Sequence, residues 1–301
     1  AEYGDSNIGK LKHVYRQGLG VRYGRIMQSI AGLHFNFSFS DEFWLRLQET
    51  KGATDLSLQD FKSEQYFSLI LNFRRYSWLL MYLFGASPAV CKSFLYGQET
   101  DLEEFNETTY YERFATSLRM GDIGYQNNKE SEVGVVADYN SLANYIKSLQ
   151  HAIETPCPEY EKLGVNIDGK FQQLNANILQ IENEYYSTVR PKQITNEYEM
   201  PIEALRHRGV RYVELRSLDV NASHPLVINE EQLYFLENFM LFCLAQDSPA
   251  IEAEEQKEID QNEMLTAHQG RDPDLYLRRN NKEISIKEWG GEILDEMQGF
   301  A

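Results

Sequence analysis

The sequence predicts an α+β protein in which the polar face of an antiparallel sheet lines a cleft. Residues 33–39 alternate strictly between apolar and polar side chains, and residues 210–219 alternate again, which is the two-residue period of half-buried strands. Between these segments, apolar residues recur at three- and four-residue spacing, as they do along one face of a helix. Polar-faced strands separated by such helices indicate a sheet with helices packed on its other side.

The composition is that of a globular protein without nucleic-acid or membrane partners. Of the 301 residues, 42% are hydrophobic and 13% aromatic, which supplies ample material for a core. The formal charge of −17 repels phosphate backbones and anionic lipids, and no basic patch stands out against it. Three widely separated cysteines fit free thiols, and nothing resembles a signal peptide or a membrane-length apolar run. We therefore expect a cytoplasmic location.

The first half of the chain contains one clear strand and two clear helices. The strand over residues 33–39 has phenylalanines and a leucine on one face and polar side chains on the other. The polar side chains are those of His34, Asn36 and Ser38. Residues 63–84 predict a long helix that stops at a Gly-Ala-Ser-Pro turn. Residues 142–153 predict an amphipathic helix that ends before Pro156.

The second half begins less clearly, because residues 174–184 look extended but mix polar and apolar side chains. Residues 210–219 predict a strand with Val213 and Leu215 on one face. The opposite face of this strand carries Tyr212, Glu214, Arg216 and Leu218. A helix over residues 231–246 follows, for which Asn229 and Gln232 can form a capping box.

The end of the chain is predicted with less detail. Residues 251–263 form a glutamate-rich helical segment, a Gly/Pro/Asp loop follows, and the pattern weakens after Pro273. No internal repeat or low-complexity linker divides the chain. We expect one main domain over residues 1–250 and a helical C-terminal extension over residues 251–301.

Three positions on two predicted strands are candidates for chemistry, and each has a structural alternative. Glu214 and Arg216 are same-face neighbours, about 6.6 to 6.8 Å apart, so one could hold a cation and the other an anion. An ion pair on a solvated face is the competing interpretation, although Tyr212 and Leu218 on that face favour a lined cleft. His34 is either a hydrogen-bonded structural histidine or a ligand or base in that cleft.

Other polar clusters leave the same choice open. Glu182 and Glu184 would share one face of an extended segment, where two carboxylates repel unless a metal or an arginine lies between them. The pattern is weak, and a solvated face is the preferred interpretation of the two carboxylates. Arg119 lies in a glycine-containing loop and could clamp a carboxylate with its planar fork, or be an ordinary loop arginine. The chain has no Walker A sequence, GxGxxG, GxSxG or HExxH, which leaves P-loop, Rossmann and common hydrolase classes without support.

Several segments together resemble the proteobacterial glutamate–cysteine ligase family, also called γ-glutamylcysteine synthetase. They follow the family order across roughly residues 1–250, and the set is specific although no single segment is. The matching segments are residues 3–7, 15–19, 22–24, 32–38, 82–89, 115–119, 179–184 and 214–219.

The resemblance implies a glutamine synthetase-like fold, with a curved antiparallel sheet as the floor of the active site. It also implies an ATP-dependent ligase that phosphorylates the γ-carboxylate of L-glutamate and joins the resulting acyl phosphate to the amine of L-cysteine. A carboxylate is a poor electrophile, so phosphorylation supplies the leaving group while magnesium and arginine offset negative charge. Mg²⁺ is the implied ion and Mn²⁺ is possible, because the ligands are oxygens with an occasional imidazole.

The resemblance also implies roles for individual residues. His34 and Glu214 match family metal ligands around the nucleotide phosphates, and Arg216 matches the catalytic arginine that stabilises the transferring phosphoryl group. The residues that match the pocket for the acceptor cysteine are Tyr15, Arg119, Tyr125 and Tyr186. Glu182 and Glu184 match no role, so a structural role is preferred for them.

The chain departs from the family pattern at its N-terminus. Family members carry a further segment before the block at Tyr3, with a Glu-x-Glu motif and other acidic residues that complete the metal sites. If Ala1 were the true start, we would expect catalysis to be lost or very weak. A module that binds nucleotide or amino acid without turnover is therefore an alternative. A related ligase with another acceptor amine is a second alternative. The sequence does not give the oligomeric state.

Overall fold

The computed structural model describes residues 2–95, 99–123 and 137–300. The α-helices are α1 Asn7–Tyr23, α2 Asp41–Thr50, α3 Leu58–Tyr76, α4 Trp78–Phe84, α5 Lys92–Leu95, α6 Leu142–Glu154, α7 Pro158–Leu163, α8 Pro201–Arg208, α9 Glu230–Ala245, α10 Ala253–Gln269 and α11 Ile286–Met297. The strands are β1 Leu33–Phe37, β2 Ala89–Cys91, β3 Glu103–Asn106, β4 Thr109–Tyr111, β5 Asn166–Ile167, β6 Lys170–Phe171, β7 Val189–Lys192, β8 Tyr212–Leu218, β9 Tyr276–Arg279 and β10 Lys282–Ser285.

The central sheet is antiparallel, with the strand order β1, β8, β7. Asn36 of β1 and Arg190 of β7 are both register partners of Glu214 in β8, so three polar side chains cross the sheet in one row. Phe37 and Val213 are partners one position away, and both are buried on the opposite face. The predicted α+β fold, with one polar and one apolar sheet face, is confirmed.

The hydrophobic core lies on the apolar side of this sheet and is centred on α3. Phe73 of α3 and Phe239 of α9 are both 0% exposed, and their ring centroids are 5.9 Å apart. Burying each ring contributes about 1.5–3 kcal/mol. Ile259 of α10 and Trp289 of α11 belong to the same buried cluster. The helices therefore support the sheet from behind and leave its polar face to the cavity.

The helix predicted over residues 63–84 is in fact two helices, α3 and α4. They separate at Ser77, whose buried hydroxyl lies 3.2 Å from the carbonyl oxygen of Arg74 and also contacts the carboxylate of Glu263. The helix also begins earlier than predicted, because Ser57 accepts a hydrogen bond from the backbone of Asp60 and acts as the N-cap. The apolar spacing continues through Ser77, so it gave no sign of the break.

The prediction of an extended segment over residues 174–184 is wrong. The structure has a loop there that ends in a short 3₁₀ helix, Glu182–Glu184. Side-chain hydrogen bonds to backbone carbonyls hold this loop in place of strand pairing. The side-chain amide of Asn175 donates to the backbone carbonyl of Gln180, and that of Asn177 donates to the backbone carbonyl of Ile153. The two glutamates therefore share a helical turn and not a strand face.

Strand β8 also departs from strict alternation at its end. Leu33 pairs with Leu218, whereas Phe35 pairs with Leu215, so β8 contains one extra residue between these pairs. Leu218 is 5% exposed and belongs to the core, contrary to its predicted place beside Glu214. A β-bulge in β8 explains the difference, because it returns Leu218 to the face of Leu215.

The capping box at α9 is confirmed, with Asn229 and Gln232 as its members. After residue 250 the chain forms α10, the β9–β10 hairpin and α11, so the weak pattern after Pro273 hides two strands and a helix. The division at residue 250 stays a prediction. Within residues 2–95, 99–123 and 137–300, no helix is both long and apolar enough to cross a bilayer.

Candidate functional site

A cavity of about 490 Å³ lies over the polar face of the central sheet. It brings together every predicted site residue that the structure describes, and these are Tyr15, His34, Arg119, Tyr186, Glu214 and Arg216. The remaining predicted residue, Tyr125, lies outside the described residues. The structure therefore groups these residues around one cavity, and their role as a functional site stays a prediction.

Glu214 occupies the centre of the cavity floor. Its carboxylate lies 3.7 Å from the Nζ of Lys192 and 3.8 Å from the Nε of Arg216. Both distances exceed those of ordinary hydrogen bonds, so the carboxylate is flanked by cations without being closed off by them. Burial is the largest cause that lowers the pKa of Lys192, against the opposing attraction of Glu214.

His34 reaches the same floor from β1. The Nε of Arg216 donates to its Nε2 at 3.4 Å, which is a long hydrogen bond and requires the neutral ring. Partial desolvation and then the nearby Arg216 lower the pKa of His34, while Glu214 opposes them. The imidazole is therefore held in the neutral form, which is the form that binds metal ions.

His34 and Glu214 fit one side of a divalent cation site. Magnesium is usually held by one or two protein carboxylates together with phosphate oxygens and water. No group of three or more His, Cys, Asp or Glu side chains within the part of the chain that the structure describes could hold a metal by itself. The two side chains thus suit an ion that arrives with a phosphate, and manganese, which also takes carboxylate and water ligands, fits the same carboxylate.

Arg119 enters the cavity from the loop after β4. Its Nε donates to Asp219 Oδ1 at 2.8 Å, and its Nη1 lies 3.4 Å from the carbonyl oxygen of Arg216. Its Nη2 is buried and has no hydrogen-bond partner among the described residues. A buried guanidinium nitrogen without a partner is costly, and an anionic ligand in the cavity would satisfy it.

Tyr15 of α1 and Tyr186 also line the cavity. Burial, with a smaller effect of Glu184, raises the pKa of Tyr15 to about 12. Burial also raises the pKa of Tyr186, whose hydroxyl lies 3.3 Å from Met120 Sδ and whose ring centroid is 6.0 Å from the Arg216 guanidinium carbon. Both phenols therefore keep their protons at neutral pH and can donate to a carboxylate.

Sequence reasoning assigned no role to Arg190 and Lys192, which share the cavity floor. Arg190 is 6% exposed, and its Nε has no hydrogen-bond partner among the residues described. Its Nη2 donates to the Asn183 carbonyl at 3.3 Å. The signal was present, because an Arg-Pro-Lys run puts two cations on the same face of a strand.

Glu182 and Glu184 stabilise the wall of the site. Arg22 and Glu184 form an ion pair at 3.0 Å with both side chains 0% exposed. The remaining donors of Arg22 bind Gln173 and backbone carbonyls of the loop, which ties α1 to it. Glu182 accepts a hydrogen bond from the Ile202 backbone at the start of α8, at 3.1 Å. The structural role preferred for these glutamates agrees with these contacts.

The cavity is cationic although the whole chain is acidic. Its basic lining residues are Arg16, Arg119, Arg190, Lys192 and Arg216, against Glu184 and Glu214. A larger cavity of about 1040 Å³ has the opposite character. Its acidic lining residues are Glu99, Asp101, Glu112 and Asp122, against Arg25 and His268. Phosphate and carboxylate ligands favour the smaller cavity on these grounds.

Comparison with known proteins identifies a family for the chain. The family model for glutamate–cysteine ligase matches residues 1–265. A glutamate–cysteine ligase from Pseudomonas putida is 50% identical over 301 residues, which is 100% of this chain and 57% of the relative. One from Hahella chejuensis is 51% identical over 302 residues and covers 99% of this chain and 57% of the relative.

A solved structure agrees as well. The crystal structure of glutamate–cysteine ligase from Francisella tularensis in complex with AMP superimposes with a TM-score of 0.91 at 38% identity. The match covers 100% of this chain and 59% of that one. The chain thus spans somewhat more than half the length of the relatives it matches. With the family model covering well over half of its residues, the chain belongs to the glutamate–cysteine ligase family.

Proposed function

We propose that this chain carries the phosphate- and acceptor-binding part of an ATP-dependent ligase. The ligase would join the γ-carboxylate of L-glutamate to the amine of L-cysteine, the first step of glutathione biosynthesis. The observation that carries the proposal is the cationic cavity over a sheet whose floor presents His34, Glu214 and Arg216 together. The AMP bound to the Francisella tularensis relative supports a nucleotide ligand.

The chemistry proceeds in two steps that this cavity suits. The γ-carboxylate of glutamate attacks the terminal phosphorus of ATP, which forms the acyl phosphate and releases ADP. The amine of cysteine then attacks the acyl carbon, inorganic phosphate leaves, and the amine loses a proton. Negative charge on the transferring phosphoryl group is offset by Arg216, with Arg190 and Lys192 beside it.

The divalent cation would be held by Glu214 and His34. When bound, it would supply positive charge to the phosphate oxygens. The chain's own contribution is to keep His34 neutral and to keep the carboxylate of Glu214 open between Lys192 and Arg216. Both features favour ligation without a competing close salt bridge.

The acceptor amino acid would be bound by Arg119, Tyr15, Tyr125 and Tyr186. The unpartnered Nη2 of Arg119 and the protonated phenols of Tyr15 and Tyr186 can donate to the acceptor's carboxylate. This arrangement leaves the amine free to attack. Comparison of L-cysteine with 2-aminobutyrate and glycine would show whether another amine is the true acceptor.

The proposal is tested by calorimetry and product analysis on the chain itself. We expect ATP with Mg²⁺ to bind, and Lys192→Ala to weaken that binding. Product formation that requires L-glutamate, L-cysteine, ATP and Mg²⁺ together would establish the ligase. Nucleotide binding without product would favour the binding-only alternative. No nucleotide binding at all would refute the proposal.

The cytoplasmic location stays part of the proposal. An ATP-dependent reaction whose acceptor carries a thiol suits a reducing, ATP-containing compartment. The cysteines of this chain, Cys91, Cys157 and Cys243, are all free thiols, which is consistent with it. We also propose that residues 1–250 are the central and main part of the catalytic domain, with residues 251–301 as its C-terminal extension.

A further inference from the structure

Asp219 is a buried carboxylate that no assigned role explains. It directly follows β8 and is 7% exposed. Its Oδ2 accepts from the backbone N–H of Ala86 at 2.9 Å and from the hydroxyl of Ser87 at 2.7 Å. Its Oδ1 accepts from the hydroxyl of Ser117 at 3.0 Å and from the Nε of Arg119 at 2.8 Å. Asp219 thus connects the end of β8 to two other segments of the chain, residues 86–87 and 117–119.

Only one of these four contacts involves a side chain that lines the proposed ligand site. The ion pair between Arg119 and Asp219 is largely shielded from water, with side-chain exposures of 9% and 3%. It uses the Nε edge of the guanidinium and leaves Nη2 without a partner among the described residues. The carboxylate therefore determines which nitrogens of Arg119 remain for a ligand.

Gly32 provides the other side of this arrangement. A Cβ at Gly32 would lie 2.5 Å from the guanidinium carbon of Arg119 and 2.4 Å from the carbonyl oxygen of Leu218. Neither approach is sterically possible, so the guanidinium packs directly on the glycine backbone. Arg119 is consequently confined between Gly32 and Asp219, which lowers the entropy it would lose on binding a ligand.

We infer that Asp219 is a positioning residue, which holds Arg119 so that Nη2 meets the carboxylate of the acceptor amino acid. The inference rests on the proposed function, since it assumes that Arg119 binds that acceptor. Asp219 itself touches no substrate. Its effect must therefore pass entirely through Arg119, and that dependence separates positioning from a general structural role.

The test measures the affinity of 2-aminobutyrate, a thiol-free acceptor analogue, and of ATP by calorimetry on the full chain. Asp219→Asn removes the negative charge. It also replaces one hydrogen-bond-accepting oxygen by an NH₂ group, which cannot accept from the donors around it. We expect its acceptor Kd to rise about tenfold, the effect of one lost charge-assisted hydrogen bond. The Kd of ATP should stay unchanged. Combined with Arg119→Ala, the Asp219→Asn substitution should add no further loss.

Ser87→Ala is the matched control, because it removes a hydrogen bond to Asp219 from the oxygen that does not bind Arg119. We expect it to lower the unfolding temperature and leave the acceptor Kd unchanged. If Asp219→Asn fails to fold, Gly32→Ala displaces the same guanidinium and keeps the Asp219 side chain, although its Cβ also presses on the carbonyl oxygen of Leu218. The acceptor should then bind more weakly in Gly32→Ala, again with an unchanged ATP Kd.

The outcomes separate the inference from the proposal beneath it. If 2-aminobutyrate does not bind, or if Arg119→Ala binds it as well as the unaltered chain, the proposed acceptor site is refuted and the inference with it. If Arg119→Ala weakens binding while Asp219→Asn and Gly32→Ala do not, only the positioning role is overturned. Additive losses in the double variant would also overturn it.

Discussion

Arg216 contacts three other residues that line the cavity. It lies 3.8 Å from the carboxylate of Glu214, donates to His34, and faces the ring of Tyr186. These contacts restrict the guanidinium without any ligand, and if Arg216 binds the transferring phosphoryl group as proposed, such restriction favours electrostatic stabilisation of the transition state.

We predict that Arg216→Ala lowers kcat by roughly 10²-fold or more in an enzyme preparation that turns over. The reason is loss of a preorganised positive charge at the transferring phosphoryl group. Steady-state kinetics check it, with Arg211→Ala as the control. Arg211 immediately precedes β8 but pairs with Asp41 at 3.2 Å, away from the cavity lining. A loss below about tenfold would reduce Arg216 to a structural residue.

Glu263 gives a prediction for stability against pH. Burial raises the pKa of its carboxyl to about 7, although the hydrogen bond from Ser77 opposes the shift. The ordinary pKa of a glutamate carboxyl is 4.5, so between about pH 4.5 and 7 the folded state holds a proton that the unfolded state has released. Stability contributed by this group is therefore greatest at low pH and is lost as pH rises through 7.

We predict that Glu263→Gln removes this loss, because the amide stays neutral at every pH. Its gain in unfolding free energy over the unaltered chain should grow from pH 4.5 to 7 and then level off. The upper limit is about 3 kcal/mol, reduced by the solvent that the side chain still meets. Urea unfolding across pH measures it. The exposed Glu254→Gln on the same helix is the control, and an equal gain there would contradict the prediction.

At the scale of elements, the Arg22–Glu184 pair joins α1 to the loop before β7. We predict that Arg22→Ala costs about 3–5 kcal/mol of unfolding free energy, because it leaves the buried carboxylate of Glu184 without its cationic partner. Urea unfolding measures the cost. The control is Arg46→Ala, whose partner Glu42 lies at 2.7 Å but with both side chains more than 70% exposed, so its loss should stay within about 0.5 kcal/mol. Similar losses in the two variants would contradict the prediction.

The same elements show what sequence can and cannot predict. The capping box of α9 and the alternation of β1 depend on residues within a few positions of each other, and both were predicted. The wall of the site depends on Arg22 and Glu184, which are 162 positions apart. No local period records such a contact, so residues 174–184 were read as a strand when side-chain hydrogen bonds hold them in a loop.

The site itself was predictable to a similar extent. Alternation placed His34, Glu214 and Arg216 on one polar face, and the structure puts all of them in one cavity. Arg190 and Lys192 belong to that floor because β7 pairs with β8. The sequence of a single strand does not show which strand lies beside it. Asp219 could not be assigned to the cavity side from the sequence. Plain alternation from Glu214 places it on the apolar face, and only the extra residue of the bulge in β8 reverses this.

At the scale of the molecule, a cationic cavity lies within a chain of net charge −17. At physiological salt the Debye length is about 8 Å, so distant acidic residues are largely screened while cations in direct contact with a phosphate are not. In the proposed site the local cations would therefore dominate nucleotide binding, and the global charge would mainly disfavour larger polyanions.

We predict that ATP affinity falls as salt is raised, and that Lys192→Ala lowers both the affinity and its dependence on salt. Calorimetry at several salt concentrations measures both. Lys257→Ala removes the same charge from α10, where the side chain is 71% exposed and bound to Glu254, and it should change neither quantity. An unchanged salt dependence in Lys192→Ala would show that lysine to be outside the phosphate site.

The extra residue in β8 makes spacing, and not only residue identity, a requirement for this chain. Shortening β8 by one position near Ser217 would restore plain two-residue pleating from Arg216 onward. Leu218 would stay opposite Leu33 on the core side, but the deletion would remove the local bend and extra twist that the bulge gives β8 just before Asp219. A deletion of one amino acid here should therefore displace the carboxylate that anchors Arg119, while Leu215 and Leu218 keep their places in the core.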